Sequence, residues 1–323
     1  MRIPNIASAG IIVNYKCTAR CAHCCYNSSP KWDNDYMSEE TAIKIFDCLH
    51  LKGCRNIHIG GGEPFINPTQ LARICKIGKD KGFAISYIET NASWCLDDVR
   101  TEHILNTIIG SGVDCLLISV DPFHNEYIPY DKARRLIECC ERVIMNTFVW
   151  PNNFSDQLKK TDASKTHSLD ELSTIFNIDY RRYAATHYGL TPNGRAINLF
   201  KGLTKLRSAI EIIESTDSDC PGLHSTSHCH LDLYENYIPP GCTGFVIDIY
   251  DMFGDFDNSK YPAISAAYSG GIGKLYEYAK TLDYTDIKEG YVNICHLCFE
   301  IKKHLSKNNP SRDIGYPMYF EEM

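Results

Sequence analysis

Cys17-Thr-Ala-Arg-Cys21-Ala-His-Cys24 places three thiols at C-x3-C-x2-C spacing on one short segment. Thiolates this close together are ligands for a soft metal, and three of them can hold three irons of a cubane iron–sulfur cluster. The fourth iron then lacks a protein ligand and can take a small molecule through nitrogen and oxygen, as an open metal site takes substrate. The competing chemistry is a zinc knuckle, which wants four N or S ligands and would draw its fourth from His23 or Cys25. A second group, Cys220, Cys229, Cys242, Cys295 and Cys298, gathers in the last third of the chain. There Leu231, Leu233, Tyr237 and Ile238 flank Glu235-Asn236 as a hairpin would, and Cys242 follows. With the distant C-x2-C of Cys295 and Cys298, this too has metal-site geometry, structural zinc being the alternative.

The elements that position these thiols read as a βα repeat. Strand-like Ile11–Tyr15 runs into the cysteine loop, and Ser38 caps a helix through Leu49 that Gly53 stops. Asn56–Ile59 is a strand leading into Gly60-Gly61-Gly62, and a helix follows over 69–81. Strand 83–88 leads to Thr90-Asn91, helix 99–109 follows, and strand 115–120 leads to Asp121. A helix over 130–142 and a strand over 143–149 complete the series. Alternation of this kind predicts a parallel α/β sheet or barrel, with the loops after the strands converging on one mouth. From Ser215 the helical periodicity fades and Cys, His, Pro and Gly become denser, which places a boundary there.

The chain has 323 residues, 44% hydrophobic and 23% charged, a composition that excludes collagen, coiled coil and wholesale disorder. A formal charge of −7 argues against nucleic-acid or anionic-membrane binding, and no apolar run reaches the roughly 20 residues of a bilayer span. Met1-Arg2-Ile3-Pro4-Asn5 has no export pattern, so the sixteen cysteines read as reduced thiols in cytoplasm. Seven of them (Cys48, Cys54, Cys75, Cys95, Cys115, Cys139 and Cys140) sit in apolar stretches and need be no more than small hydrophobes.

Taken with the cysteine loop before it, Ile59-Gly60-Gly61-Gly62-Glu63-Pro64-Phe65 resembles the radical S-adenosylmethionine (radical SAM) superfamily. The resemblance implies a partial (β/α)6 TIM-type barrel over residues 1–214, with Cys17, Cys21 and Cys24 binding a [4Fe–4S] cluster and S-adenosylmethionine (SAM) on its open iron. Gly61, Gly62, Glu63 and Pro64 match the motif that contacts the methionine amino group, and His23 takes the slot beside adenine. Asn91, Ser119 and Asp121 match strand ends that contact methionine or ribose, and Gly194-Arg195-Ala196 resembles a turn found in several members. Reductive cleavage of SAM to a 5′-deoxyadenosyl radical, abstraction of hydrogen from a substrate C–H bond, and a flavodoxin- or ferredoxin-type electron donor are implied with it.

Residues 215–323 resemble the SPASM/twitch regions of radical SAM enzymes that modify peptides, in the short form with one auxiliary Fe–S cluster, expected to be [4Fe–4S]. Cys242, Cys295 and Cys298 are the implied ligands, and Cys220-Pro221-Gly222 resembles the first ligand of a related group. Cys229 is then a structural thiol, a rival ligand or a hydrogen donor to a carbon radical. The segments 21–30, 90–94 and 118–124 resemble the peptide epimerase branch, with one departure: Thr243 stands where those enzymes carry a hydrogen-returning Cys. With the first motif so early, no leader-binding domain is expected before it. The expected substrate is a ribosomal peptide or peptide-like precursor, with a small molecule (sugar, nucleoside or amino acid) as the second reading and a non-enzymatic zinc- or iron-binding module as the third.

Overall fold

The computed structural model describes residues 2–216, 220–254 and 256–321. Six parallel strands form most of one eight-stranded sheet: β1 (Ser8–Ile12), β2 (Asn56–Gly60), β3 (Ala84–Thr90), β4 (Cys115–Ser119), β5 (Asn146–Trp150) and β6 (His228–Asp232). Their order is β5-β4-β3-β2-β1-β6, and β7 (Asn236–Ile238) and β8 (Ile247–Asp248) extend it antiparallel beyond β6. The sheet is thus α/β and mostly parallel, as the alternating sequence requires. It continues past residue 214, because β6 pairs with β1 in parallel from Ser8↔His228 to Ile12↔Asp232.

Helices α1 (Glu39–Leu51), α2 (Pro68–Asp80), α3 (Asp98–Gly110), α4 (Pro122–Asn125) and α5 (Tyr130–Val143) connect the first five strands. Ser38 caps α1 by accepting from Thr41 N, Asn67 caps α2 and Asp97 caps α3, so each start is fixed by a short polar side chain. Leu71, Ile74 and Cys75 of α2, and Ile104, Leu105 and Ile108 of α3, are buried at helical spacing. Between β5 and β6 run α6 (Asn152–Leu158), α7 (Leu169–Phe176), α8 (Tyr180–Tyr188), α9 (Ala196–Lys201), α10 (Ala209–Glu214) and α11 (Pro221–His224). The chain ends with α12 (Pro262–Lys280) and α13 (Ile294–Asn308).

Three sequence expectations shift. The first strand ends at Ile12, because Asn14 turns out of the ladder to hold the glycine loop. The fifth begins at Asn146, since Val143 ends α5 and Ile144 takes a left-handed φ of 61°. The fading of helical periodicity after 215 conceals two long helices. In α12 the pattern is broken at Gly270 and Gly271, which are non-helical. In α13 the inward face carries Cys298 and Lys302, so part of its buried stripe is polar.

Candidate active site

The cysteine loop follows β1. Cys17 and Cys21 are buried and Cys24 half-buried. Cys24 N donates to Cys21 O at 3.1 Å and Ala19 N to Cys17 Sγ at 3.4 Å, curling the three thiols together. Burial pushes the Cys17 thiol well up, and the neighbouring Cys21, Glu63 and Cys24 push the same way. Burial raises Cys21 too, against the pull of His124. Without metal, both therefore stay protonated at neutral pH; a bound ion takes the protons off.

The glycine loop after β2 is pinned against this segment. Gly62 N donates to Asn14 O at 2.8 Å, Glu63 N to Lys16 O at 2.9 Å, and Asn14 Nδ2 to Glu63 O at 3.0 Å. A Cβ on Gly62 would lie 2.0 Å from Lys16 O, and one on Gly61, at φ 146°, would lie 2.6 Å from Asn14 O. Only glycine permits this approach. The Glu63 carboxylate points inward and accepts from Phe65 N (3.0 Å), Thr90 Oγ1 (2.9 Å) and Asn91 N (2.8 Å), tying the glycine loop to the end of β3. Burial pushes its pKa up to about 7 despite those three donors. Pro64 opens the short turn that follows and lines the cavity.

Asn91 Nδ2 points to Cys17 Sγ at 3.5 Å and to Thr18 Oγ1 at 3.1 Å. Ser119 lines the cavity at the end of β4. Asp121 does not; its carboxylate caps α4 through Phe123 N and His124 N and holds His124 Nδ1 at 2.6 Å. Burial would raise Asp121, but His124 outweighs it and holds the carboxyl low. His124, which no sequence motif singled out, lines the cavity and faces Cys21. The His23 ring packs among Phe123 (4.9 Å), His124 (5.1 Å) and Tyr188 (4.9 Å); its buried Nδ1 has no partner among the described residues, and burial lowers its pKa to about 4.

Arg195 is 5% exposed and holds the cysteine loop from behind. Its Nε donates to Cys21 O (3.0 Å), Nη1 to Asn27 Oδ1 (2.8 Å) and Nη2 to Ser28 O (2.7 Å), while its backbone N donates to Cys24 O (3.1 Å). Gly194, at φ 53°, packs so close that a Cβ would lie 2.6 Å from Cys25 Cα. The loops enclose a cavity of about 530 Å³, lined by the three loop cysteines, Gly61, Gly62, Asn91, Ser119 and Arg195 and, deeper, by His58, Tyr87, Glu89 and His230.

The second group of thiols also converges. Cys220, Cys242, Cys295 and Cys298 all bear on one buried ammonium, Lys302. Burial pulls Lys302 down, but the four thiols outweigh it and hold the amine charged. Lys302 Nζ sits 3.6 Å from Cys242 Sγ, 4.5 Å over the Phe245 ring, and donates to Thr243 O. Burial pushes Cys295 up to about 11 and Cys298 up to about 12. Cys229 is elsewhere: it is fully buried on β6, with Cys54 for its thiol neighbour, and does not line the cavity. Thr243 does not line it either. Its Oγ1 donates to Cys25 O at 2.6 Å, coupling the hairpin end to the first cysteine loop.

A parallel sheet with a three-cysteine loop after its first strand and a glycine loop after its second defines a radical SAM domain. Residues 11–147 match the Radical SAM superfamily, so the chain is an enzyme that carries a radical SAM domain. Across 232 residues it is 24% identical to YydG of Bacillus subtilis (strain 168), named as a peptide biosynthesis protein, covering 70% of this chain and 68% of that one. Solved structures with a similar fold include BtrN in complex with AdoMet and 2-DOIA (13% identity, 85% of this chain and 91% of that one, TM-score 0.46). Native anSMEcpe with bound AdoMet is another (13%, 93% and 97%, TM-score 0.45).

Proposed function

We propose that Cys17, Cys21 and Cys24 hold a [4Fe–4S] cluster whose open iron takes SAM, and that the enzyme abstracts hydrogen from a peptide held in the cavity below. The observation that carries this is the meeting of three thiols, two buried and one half-buried, with a glycine loop whose backbone admits no Cβ, at the rim of a cavity of about 530 Å³. The unpartnered Nδ1 of His23 and its aromatic surroundings suit a purine with ring nitrogens to match. Bound there, cluster and SAM supply a reductively generated carbon radical. The protein's own part is to position and to shield. Asn91 Nδ2 and the Gly61-Gly62 backbone present polar groups beside the thiols, while Glu63 is spent on orienting the loop. Arg195 keeps the loop closed. The peptide class rests on the likeness to YydG over 70% of the chain.

In the same reading, residues 215–323 carry one auxiliary cluster on Cys220, Cys242, Cys295 and Cys298, with Lys302 beside it. The convergence of these four on Lys302, and the distance of Cys229 from them, support that ligand set over one using Cys229. Cys229 is buried away from the lining of the cavity, so it is not the hydrogen donor in this proposal.

The test is anaerobic reconstitution followed by reduction in the presence of SAM. Wild type should form 5′-deoxyadenosine; the triple Cys17, Cys21, Cys24→Ala variant should form none while keeping about half the iron, since two four-iron clusters are expected. SAM cleavage by the triple variant would overturn the assignment. With an α-deuterated peptide, deuterium should appear in 5′-deoxyadenosine; deuterium arriving only from a sugar, nucleoside or free amino acid would replace the peptide by a small molecule.

A further inference from the structure

At the wall of the cavity, which His58 and His230 line, three imidazoles from two strands meet on one face of the sheet. His58 lies on β2, and His228 and His230 on β6, with β1 between them. The register puts Gly10 opposite both His58 and His230, and Ser8 opposite His228. Residues two apart on a strand share a face, so His228 and His230 point the same way. Gly10 leaves the gap in which the rings meet: a Cβ there would lie 2.3 Å from His230 Cδ2 and 2.6 Å from His58 Nε2. Ring centroids are 5.1 to 5.6 Å apart, and one ring nitrogen from each histidine falls within 4.8 Å of the others.

We propose that His58, His228 and His230 form a three-histidine site for a divalent transition metal ion, zinc by its ligand chemistry, with its open positions facing the cavity. Three neutral imidazoles plus an open position is the ligand set of a catalytic rather than a structural zinc. Ideal Zn–N bonds would bring the nitrogens to about 3.3 Å of one another, a contraction that modest ring rotations supply. The surroundings fit an outer shell. Ser8 Oγ lies 2.8 Å from His228 Nδ1 and fixes that ring, and Glu89 Oε1, 3.6 Å from His58 Nε2, adds a carboxylate at the edge of the site itself. His230 Nδ1 is buried with no partner among the described residues, which packing alone does not account for. The Tyr87 ring stacks on His58 at 5.1 Å and Tyr26 meets His230 edge-on at 5.5 Å, bracketing the site. None of the three histidines belongs to either cysteine group. Because His58 and His230 line the cavity, an oxygen ligand on the ion, water or substrate carbonyl, would share the space proposed for the peptide, and that last point rests on the function proposed above.

The site is tested without SAM or substrate, so its outcome is independent of radical chemistry. Reconstituted holoenzyme, stripped of adventitious zinc with a mild chelator, is titrated with Co²⁺. Wild type should take a single Co²⁺ with imidazole-type d–d bands and no sulfur charge-transfer band, and Zn²⁺ should displace it. His58→Gln and His228→Gln should each weaken binding by more than about 100-fold at unchanged iron content, and Ser8→Ala by about 10-fold. No cobalt bound by wild type, cobalt bound with a thiolate charge-transfer band, or equal affinity in Ser8→Ala and both histidine variants overturns the proposal. Should the histidine variants lose iron, the wild-type spectrum and the Ser8→Ala titration decide it alone.

Discussion

Replacing Arg195 by Ala should loosen the cysteine loop more than any surface change. The guanidinium is buried and makes three charge-assisted hydrogen bonds, to Cys21 O, Asn27 Oδ1 and Ser28 O, at 2.7 to 3.0 Å. Bonds of this kind are worth roughly 1.5–3 kcal/mol each, and their loss strands Ser28 O and Asn27 Oδ1, while Cys21 O keeps its bond from Cys24 N. All three hold one loop, so the losses overlap, and about 4 kcal/mol in total is expected. With a urea m-value near the upper end for single domains, about 3 kcal/mol per M, the midpoint should fall by about 1.3 M in the cluster-free protein. Arg195→Lys keeps the charge but loses the fork, and should recover less than half of that. Iron bound at the first cluster should drop with the stability. If Arg195→Ala unfolds within about 1 kcal/mol of wild type, the guanidinium does not hold the loop and the reasoning fails.

Gly62→Ala should abolish SAM cleavage, since its methyl would lie 2.0 Å from Lys16 O; activity within tenfold of wild type would contradict the close approach. Glu63 has its pKa raised by burial to about 7, so the folded state binds that proton more tightly than the unfolded one. Its contribution to stability is present below about pH 4.5 and is lost as pH rises toward 7, at most about 3 kcal/mol. His23, His58 and His230, all lowered, act in the opposite direction over an overlapping range, so the comparison is with Glu63→Gln. As pH rises from about 4.5 to 7 the variant should gain on wild type in urea melts, and profiles parallel across that range would refute the assignment. Lys302→Met removes the cation beside Cys242 and should lower the midpoint potential of the proposed auxiliary cluster; an unchanged potential in spectroelectrochemistry would contradict a cluster at that place.

The chemistry-bearing residues were legible where spacing or backbone demanded a residue type. C-x3-C-x2-C places three thiols on one loop whatever surrounds it, and Gly61-Gly62 marks a backbone contact that no side chain allows. Helix starts were legible through Ser38, because caps are local. What stayed hidden is non-local. Asp121 follows a strand like a ligand-binding residue, yet its carboxylate is committed to α4 and His124, which only the fold reveals. Lys302 lies on α13 far along the chain from Cys242 and reads as an ordinary surface lysine until the helix docks. Cys229 looked like a member of the second group by position, but strand alternation turns it to the opposite face from His228 and His230. The His-x-His pair on β6 carried a period-two signal, but it becomes a cluster only when β1 supplies Gly10 between it and His58.

The most direct test of the central claim is the electron paramagnetic resonance spectrum of the reduced, reconstituted protein with and without SAM, recorded in a Cys295, Cys298→Ala background so that the first cluster dominates. An iron left open by Cys17, Cys21 and Cys24 predicts a [4Fe–4S]⁺ signal whose g-values shift when SAM is added. A spectrum that SAM leaves unchanged would mean that the fourth corner is already filled and would contradict the account.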